Sequence, residues 1–197
     1  MKVVGLTGGS GTGKSTALGV LAEMGAVTID CDVIYHELLE AGGAMLDDIE
    51  ARFPGVVVGG KLQRKALGQI VFRDPIALAN LNAITHGHVC RVVDEELKAL
   101  AECGTELVAI EAIALIESGL GERCDVVIGV LAPLEARAQR ITAREGIDPD
   151  YAKRRIESQK PDVFFRAHCD HIIENDYPSP AAFLEACRGL FEQLVLV

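Results

Sequence analysis

The sequence lacks several patterns that mark whole classes of protein. No apolar run in its 197 residues approaches the length of a membrane-spanning helix, and the first apolar run ends at Thr7. That run is too short for the hydrophobic region of a secretory signal. The six cysteines are scattered, and no C-x-x-C pair occurs. We therefore expect a cytoplasmic protein with reduced thiols, without a disulfide framework, a zinc site or a membrane contact.

Basic residues are also scarce. The chain has 19 Lys and Arg against 29 Asp and Glu, which gives a formal net charge of −10. This charge argues against a nucleic-acid-binding surface. Residues 137–166 are the exception, because eight Lys or Arg and five Asp or Glu give this segment +3 and leave the rest of the chain with −13. A local basic patch of this kind suits a compact polyanion such as a nucleotide.

The most informative stretch is Gly8 to Ser15, GGSGTGKS, which fits the phosphate-binding pattern G-x-x-x-x-G-K-[ST]. In such a loop the backbone N–H groups and the N-terminus of the following helix converge on one point and attract phosphate. Lys14 would reach the β- and γ-phosphates, and the Ser15 hydroxyl would bind magnesium.

Short apolar runs on either side of this loop predict a sheet. Residues 3–7 precede the loop as a buried strand, and an apolar stripe after Lys14 predicts a helix that ends at Gly25. Because similar runs recur between helical segments, we expect an α/β fold of the P-loop type: a parallel sheet covered by helices on both faces. The later strands are predicted at residues 27–30, 107–110, 126–130 and 172–173.

About 75 residues separate the second and third strands, far more than an ordinary crossover needs. Helical patterns fill this gap at residues 45–53, 64–72, 77–84 and 89–101. We expect a helical insertion over the carboxyl edge of the sheet, where it could hold a second substrate.

Further helices are predicted at residues 133–144, from Asp148-Pro149 to residue 160, and after Ser179-Pro180. Gly146 separates the first two of these. The last helix carries an apolar stripe that we expect to be buried: Phe183, Leu184, Cys187, Leu190, Phe191 and Leu194.

Transfer of a phosphoryl group needs a carboxylate near the acceptor and positive charge near the phosphates. Asp30 and Asp32 lie just past the second strand, and either could accept a proton or hold magnesium, directly or through water. Arg137, Arg140 and Arg144 are spaced to share one helix face. One or two of them could clamp phosphates if this segment closes as a lid.

Taken together, these motifs resemble the dephospho-coenzyme A kinase family over nearly the full chain. The similar elements are the opening at 6–16, I-D-x-D at 29–32, R-x-x-L-G-x-x-V-F at 64–72, L-x-x-I-x-H at 81–86, R-x-x-x-R at 140–144, R-I-x-x-Q at 155–159 and D-x-x-I-x-N at 170–175.

The resemblance implies that ATP, with Mg²⁺, phosphorylates the 3′-hydroxyl of the dephospho-CoA ribose. It implies that Asp32 is the catalytic carboxylate, assisted by Lys14 and Arg140. It also implies that the residues on the acceptor side are Thr7, Asp32, Arg64 and His86. Ser15 would bind the metal directly, and Asp30 would bind it through water. On the ATP side it places Gly9, Gly11, Thr12, Gly13, Lys14, Ser15, Thr16, Arg140, Arg144 and Asn175.

The expected organisation is a single kinase domain that acts as a monomer, with no nucleic-acid or membrane partner. Its core covers residues 1–43, 104–136 and 167–197, the CoA-binding insertion covers about 44–103, and the lid covers about 137–166.

The sequence departs from the family at several positions. Ser10 replaces an apolar residue, Arg137 replaces a common Gln, and the family's His-Pro is His86-Gly87 here. The family's N-x-G is Asn175-Asp176-Tyr177, which would reshape the adenine side of the ATP pocket.

Two alternatives stay open. One is another P-loop kinase that acts on a small molecule or a nucleoside monophosphate, although the 64–72 motif argues against it. The other is a non-catalytic nucleotide-binding regulator. A GTPase switch is disfavoured because the chain contains no N-K-x-D pattern for guanine.

Overall fold

The computed structural model describes residues 1–195, and the chain forms two compact units. Unit one comprises Met1–Ile29 and Leu100–Val197, and unit two comprises Asp30–Ala99. The elements, in chain order, are β1 (Lys2–Thr7), α1 (Lys14–Glu23), β2 (Val27–Asp30), α2 (Cys31–Ala41), α3 (Ala44–Arg52), β3 (Val57–Val58), β4 (Lys61–Leu62), α4 (Arg64–Val71), α5 (Pro75–Glu102), β5 (Leu107–Glu111), a 3₁₀ turn (Leu120–Arg123), β6 (Val126–Leu131), α6 (Leu134–Glu145), α7 (Pro149–Glu157), α8 (Asp162–His168), β7 (His171–Glu174) and α9 (Pro180–Val195).

The main sheet is parallel, flanked by helices, and has the strand order β2-β5-β1-β6-β7. The central strand β1 pairs Val4 with Ala109 of β5 and with Val126 of β6. Strands β5 and β6 are buried along their whole length, as expected for strands covered on both faces. The predicted parallel α/β sheet is therefore confirmed.

The core of unit one lies where α1 and α9 pack against this sheet. It includes Val4, Leu6, Ala17, Leu21, Ala109, Ile128, Val130, Phe183, Cys187 and Phe191. The predicted apolar stripe of α9 is confirmed for Phe183, Cys187 and Phe191, which are buried. The prediction is wrong for Leu184, which is 38% exposed. Helical spacing places Leu184 at the edge of the buried face formed by Phe183, Cys187 and Phe191, and it remains exposed there.

Unit two has a core of its own. The buried residues are Leu39, Met45, Leu46, Ile49, Phe53, Val56, Leu67, Val71 and Ala77. The antiparallel hairpin of β3 and β4 was not predicted, because two-residue strands give no detectable alternation. Its turn is Gly59-Gly60, and both residues have positive φ, as a tight two-residue hairpin requires.

Helix α5 differs from the sequence prediction. The pattern predicted two helices, at residues 77–84 and 89–101, but a single helix of 28 residues runs from Pro75 to Glu102. Gly87 lies in its interior without breaking it. A glycine costs only about 1 kcal/mol in a helix, and buried residues such as Thr85, Val89 and Val93 hold the helix on both sides of it.

Helices α6 and α7 form a hairpin around Gly146, as predicted. Gly146 ends α6 with φ 67°, and the Asp148 side chain accepts the Tyr151 N–H at the start of α7. The two helices share a small core of Ala138, Ile141, Ala152 and Ile156.

The predicted end of α7 at residue 160 is wrong, because the helix ends at Glu157. Pro161 disfavours helical geometry at Lys160, and it then precedes the unpredicted helix α8. Among residues 1–195, no helix is both long and apolar enough to cross a membrane.

Candidate active site

The loop between β1 and α1 closes on itself through the Gly9 carbonyl oxygen. The Thr12 hydroxyl donates to it at 3.0 Å, and Lys14 Nζ donates to it at 3.2 Å. Thr12 and Lys14 are both buried. The strand, glycine loop and helix thus take the order that the phosphate-binding pattern predicts.

The N-terminus of α1 is suited to an anion. Gly13 precedes the helix with φ 107°, and in the described part of the chain no side chain caps the helix there. Unpaired N–H groups in a first helical turn carry partial positive charge and bind phosphate. A Cβ at Gly13 would also overlap Asn175 Nδ2, so only glycine fits this position.

Glu111, which the sequence analysis did not single out, faces the start of α1. It is the last residue of β5, is 7% exposed, and pairs in register with Leu6 of β1. The Ser15 hydroxyl lies 3.5 Å from Glu111 Oε1, and Lys14 Nζ lies 3.9 Å from the same oxygen. The sequence signal for Glu111 was an acidic residue directly after the apolar run 107–110. Its place beside the loop depends on β5 lying next to β1, which this local signal does not contain.

A magnesium ion fits this corner. Magnesium prefers oxygen ligands and is usually held by one or two protein oxygens together with substrate phosphates and water. The Ser15 hydroxyl and the Glu111 carboxylate supply such oxygens side by side. In residues 1–195 no cluster of three or more His, Cys, Asp or Glu offers an all-protein metal site.

Arg140 and Asn175 hold the far side of the loop. Arg140 Nη1 donates to the carbonyl oxygens of Gly11 and Thr12 at 3.1 and 3.3 Å, and Asn175 Nδ2 donates to Thr12 O at 2.8 Å. Arg140 Nη2 also donates to Asn175 O at 3.4 Å. Arg144 is exposed and pairs with Glu145 at 2.6 Å, away from these carbonyls.

Arg137 lies under the loop. It is 6% exposed, and its Nε donates to Ser10 O at 2.9 Å. Burial lowers the pKa of its guanidinium, and the charge of Asp162 opposes that shift. Gln159 completes the contact, because its side chain bonds both Arg137 and Ser10. The sequence assigned no role to Gln159 beyond its place in the R-I-x-x-Q element.

The two aspartates after β2 have different local roles. Asp30 caps α2, because its Oδ1 accepts the N–H groups of Asp32 and Val33 at 2.9 and 3.2 Å. Asp32 lies exposed in the first turn of α2. Asp30, and not Asp32, is therefore the N-cap of this helix.

The remaining predicted residues are spread over both units. In unit one, the buried Thr7 donates its hydroxyl to Ile113 O at 3.1 Å, and Thr16 is exposed on α1. In unit two, Arg64 begins α4 beside a cavity of ≈ 630 Å³ that Gln63 and Gln69 also line. His86 lies in the middle of α5 rather than near a helix end.

The structure therefore brings the predicted ATP-side residues together in unit one. These are Gly9, Gly11, Thr12, Gly13, Lys14, Ser15, Arg140 and Asn175. Asp30, Asp32, Arg64 and His86 belong to unit two.

A parallel five-stranded sheet with a phosphate loop after its central strand defines the P-loop kinase fold. Solved structures agree: shikimate kinase from Bacteroides thetaiotaomicron superposes with a TM-score of 0.57 at 15% identity, which is evidence for the fold alone. The chain belongs to the dephospho-CoA kinase family, whose model matches residues 2–180.

Individual relatives support this assignment. Dephospho-CoA kinase of Thermobifida fusca is 41% identical over 89% of this chain and 88% of its own length. That of Anaeromyxobacter dehalogenans is 38% identical over 99% and 91%. The dephospho-CoA kinase structure from Campylobacter jejuni has a TM-score of 0.68 and 27% identity, and covers 99% of this chain and 98% of its own. A crystal structure from Thermus thermophilus has a TM-score of 0.80 and 33% identity over 100% and 97%.

Proposed function

We propose that this protein transfers the γ-phosphate of ATP to the 3′-hydroxyl of the dephospho-CoA ribose. The products are coenzyme A and ADP, and the step is the last in coenzyme A biosynthesis. The observation that carries the proposal is the complete phosphate loop of unit one, in a chain that belongs to the dephospho-CoA kinase family. Phosphoryl transfer depends mainly on positioning and on neutralising charge, and the loop provides both.

On the ATP side, the loop amides and the α1 N-terminus bind the phosphates. Lys14 turns from the Gly9 carbonyl oxygen to the β- and γ-phosphates, and Arg140 and Arg144 add charge when the hairpin of α6 and α7 closes. Ser15 and Glu111 would hold Mg²⁺, which when bound would neutralise phosphate charge, and Asp30 would act on the metal through water. The proximity of the Lys14, Ser15 and Glu111 side chains supports this arrangement.

On the acceptor side, Asp32 accepts the proton of the ribose hydroxyl and orients its oxygen toward the γ-phosphate. Thr7, Arg64 and His86 bind the acceptor, and the helical segment of about 44–103 is the CoA-binding region. Two features support this assignment: the exposed carboxylate of Asp32 follows a strand of a parallel sheet, and Arg64 lines an open surface pocket. Ligands of open parallel sheets bind at the carboxyl ends of the strands.

A coupled ADP-release assay tests the function. The protein should turn over ATP with dephospho-CoA, and shikimate, gluconate or a nucleoside monophosphate should give no comparable rate. Turnover of one of those acceptors alone would favour the other kinase class, and no turnover with any acceptor would favour the regulator.

The Lys14→Ala variant tests the loop in the same assay. Loss of its charge should lower kcat by about a hundredfold or more, as removal of a group that stabilises developing charge does. Thermal unfolding should show that the fold survives. Lys98→Ala, which removes an exposed lysine from α5, should match the parent protein.

We further propose that the protein acts as a monomer in the cytoplasm. Its six scattered cysteines, without a C-x-x-C pair, support a reducing compartment. Analytical ultracentrifugation of the active enzyme should give a single species near 21.0 kDa.

A further inference from the structure

Ser10 lies in the middle of the phosphate loop, and each of its polar groups takes part in a hydrogen bond. Its N–H donates to Gln159 Oε1 at 2.9 Å, and its hydroxyl accepts from Gln159 Nε2 at 2.7 Å. Its carbonyl oxygen accepts from Arg137 Nε at 2.9 Å, while Arg137 Nη2 donates to Gln159 Oε1, also at 2.9 Å. The three residues form a closed network in which each contacts the other two.

This network is positively charged, and two of its three members are buried. Ser10 is 5% exposed and Arg137 is 6% exposed. A guanidinium keeps its proton in proteins, so a full positive charge lies under the loop. The hydrogen bonds described above go to neutral oxygens, so the charge adds to the potential that attracts phosphate, although Asp162 offsets part of it.

Two loop glycines make room for this contact. A Cβ on Gly9 would overlap the Arg137 guanidinium, and a Cβ on Gly11 would come within 2.7 Å of the Arg137 carbonyl oxygen. The loop backbone thus rests directly on α6. At Gly11 glycine is required by contact with the Arg137 backbone, whereas a side chain at Gly9 would displace the Arg137 guanidinium and the Gln159 amide.

The network also joins both ends of the hairpin of α6 and α7 to one residue. Arg137 lies in the first turn of α6, which begins at Leu134, and Gln159 lies just after α7, which ends at Glu157. The hairpin is held together between these points by its own small core. A displacement of either end would therefore break hydrogen bonds to Ser10.

We infer that Arg137 and Gln159 are positioning residues that hold Ser10, and through it the phosphate loop, in the shape that binds nucleotide. This inference rests on the proposed function. The same contacts fix the base of the hairpin to the loop. When the hairpin closes, the part that moves is therefore the part beyond this base, which carries Arg144 and Gly146.

The test compares Arg137→Leu, Gln159→Leu, Ser10→Ala and the Arg137→Leu/Gln159→Leu double variant with the parent protein. The readouts are the KM for each substrate, kcat, the Kd for ADP by calorimetry, and the thermal midpoint. Arg188→Leu, which breaks a surface ion pair with Glu23, is the matched control.

Each leucine variant should raise the KM for ATP and the Kd for ADP about tenfold, as loss of a buried charge-assisted hydrogen bond would. The KM for dephospho-CoA should stay within about twofold. Because the two side chains act in one network, the double variant should also raise the KM for ATP and the Kd for ADP about tenfold rather than a hundredfold. Ser10→Ala, which removes only the hydrogen bond to the hydroxyl, should raise the same two constants about threefold.

Three results would overturn the inference: an unchanged Kd for ADP, an equal rise in both KM values with a lower thermal midpoint, or independent effects that multiply in the double variant. If Arg137→Leu does not fold, Gln159→Leu and Ser10→Ala decide the question. The ADP titration needs no acceptor. It therefore tests the positioning role even if dephospho-CoA is not phosphorylated, and a failure of the proposed function stays distinguishable.

Discussion

Arg137, Arg140 and Arg144 share one face of α6 by their spacing, yet their surroundings differ. Arg137 is buried against Ser10, Arg140 reaches the Gly11 carbonyl oxygen, and Arg144 is exposed and paired with Glu145. Helical spacing predicts that the three side chains share a face. It does not predict how far each is buried, because burial depends on which other elements pack against that part of the helix. At Arg137, the packing partner is a loop with glycine at residue 9.

Asp32 gives the first residue-scale prediction. Asp32→Asn keeps the size of the side chain but removes its charge and basicity, so kcat should fall by roughly 10²–10⁴-fold, the usual range for a general base. Stability should not change, because Asp30 rather than Asp32 caps the helix. Measurement of kcat and the thermal midpoint on one preparation checks both parts.

Asp30 supplies the matched control. Asp30→Ala removes the cap and should cost about 1 kcal/mol of stability, whereas Asp30→Asn should cost little because Asn caps equally well. Normal turnover in a folded Asp32→Asn protein would contradict the catalytic role of Asp32.

Arg140 gives the second prediction at this scale. Its guanidinium donates to loop carbonyl oxygens, and we expect it to contact the phosphates once ATP binds. Arg140→Ala should then lower kcat/KM for ATP by roughly tenfold or more. Arg188→Ala, on the surface of α9, should leave kcat/KM unchanged. Parent-like kinetics in Arg140→Ala would remove the support for a phosphate-clamping role.

At the scale of elements, strands were predicted better than helix ends. Strand β2 was predicted at residues 27–30 and is found there, because apolar runs between polar turns are local signals. Helix α8 was not predicted, and the end of α7 was predicted at residue 160 instead of Glu157, since Pro161 separates two helices that together resemble one. Glu111 ends β5 one residue beyond the predicted strand, and its place beside Ser15 depends on the pairing of β5 with β1.

The continuity of α5 through Gly87 leads to a stability prediction. A Cβ at Gly87 meets nothing within 4 Å, and the residue is exposed inside a 28-residue helix. Gly87→Ala should therefore stabilise the protein by about 0.5–1 kcal/mol, since alanine restricts the unfolded chain and favours helix.

Urea unfolding at equilibrium would measure this change. Gly87→Pro introduces the proline of the family's His-Pro pair. It should destabilise the protein by about 3 kcal/mol, because proline removes a backbone hydrogen bond of the helix and clashes with the preceding turn. Destabilisation by both variants would mean that the helix does not continue through residue 87 in solution.

At the scale of the whole molecule, the chain forms two compact units, and each has a hydrophobic core of its own. Unit one holds the loop and its partners, and unit two holds Asp32, Arg64 and His86. The sequence predicted a helical insertion from its length and patterns. Where one compact unit ends and the next begins depends on packing, which no short pattern encodes.

Hydrogen exchange can separate the two binding regions. If unit two binds coenzyme A groups, dephospho-CoA alone should slow exchange of amides between about residues 64 and 91, in α4 and the first half of α5, because bound ligand suppresses local opening. ADP alone should instead protect the loop from Gly9 to Ser15. Each ligand acts as the control for the other on the same peptides. Protection by dephospho-CoA that is confined to unit one would assign the acceptor site to the sheet and the hairpin, and would exclude α4 and α5 from it.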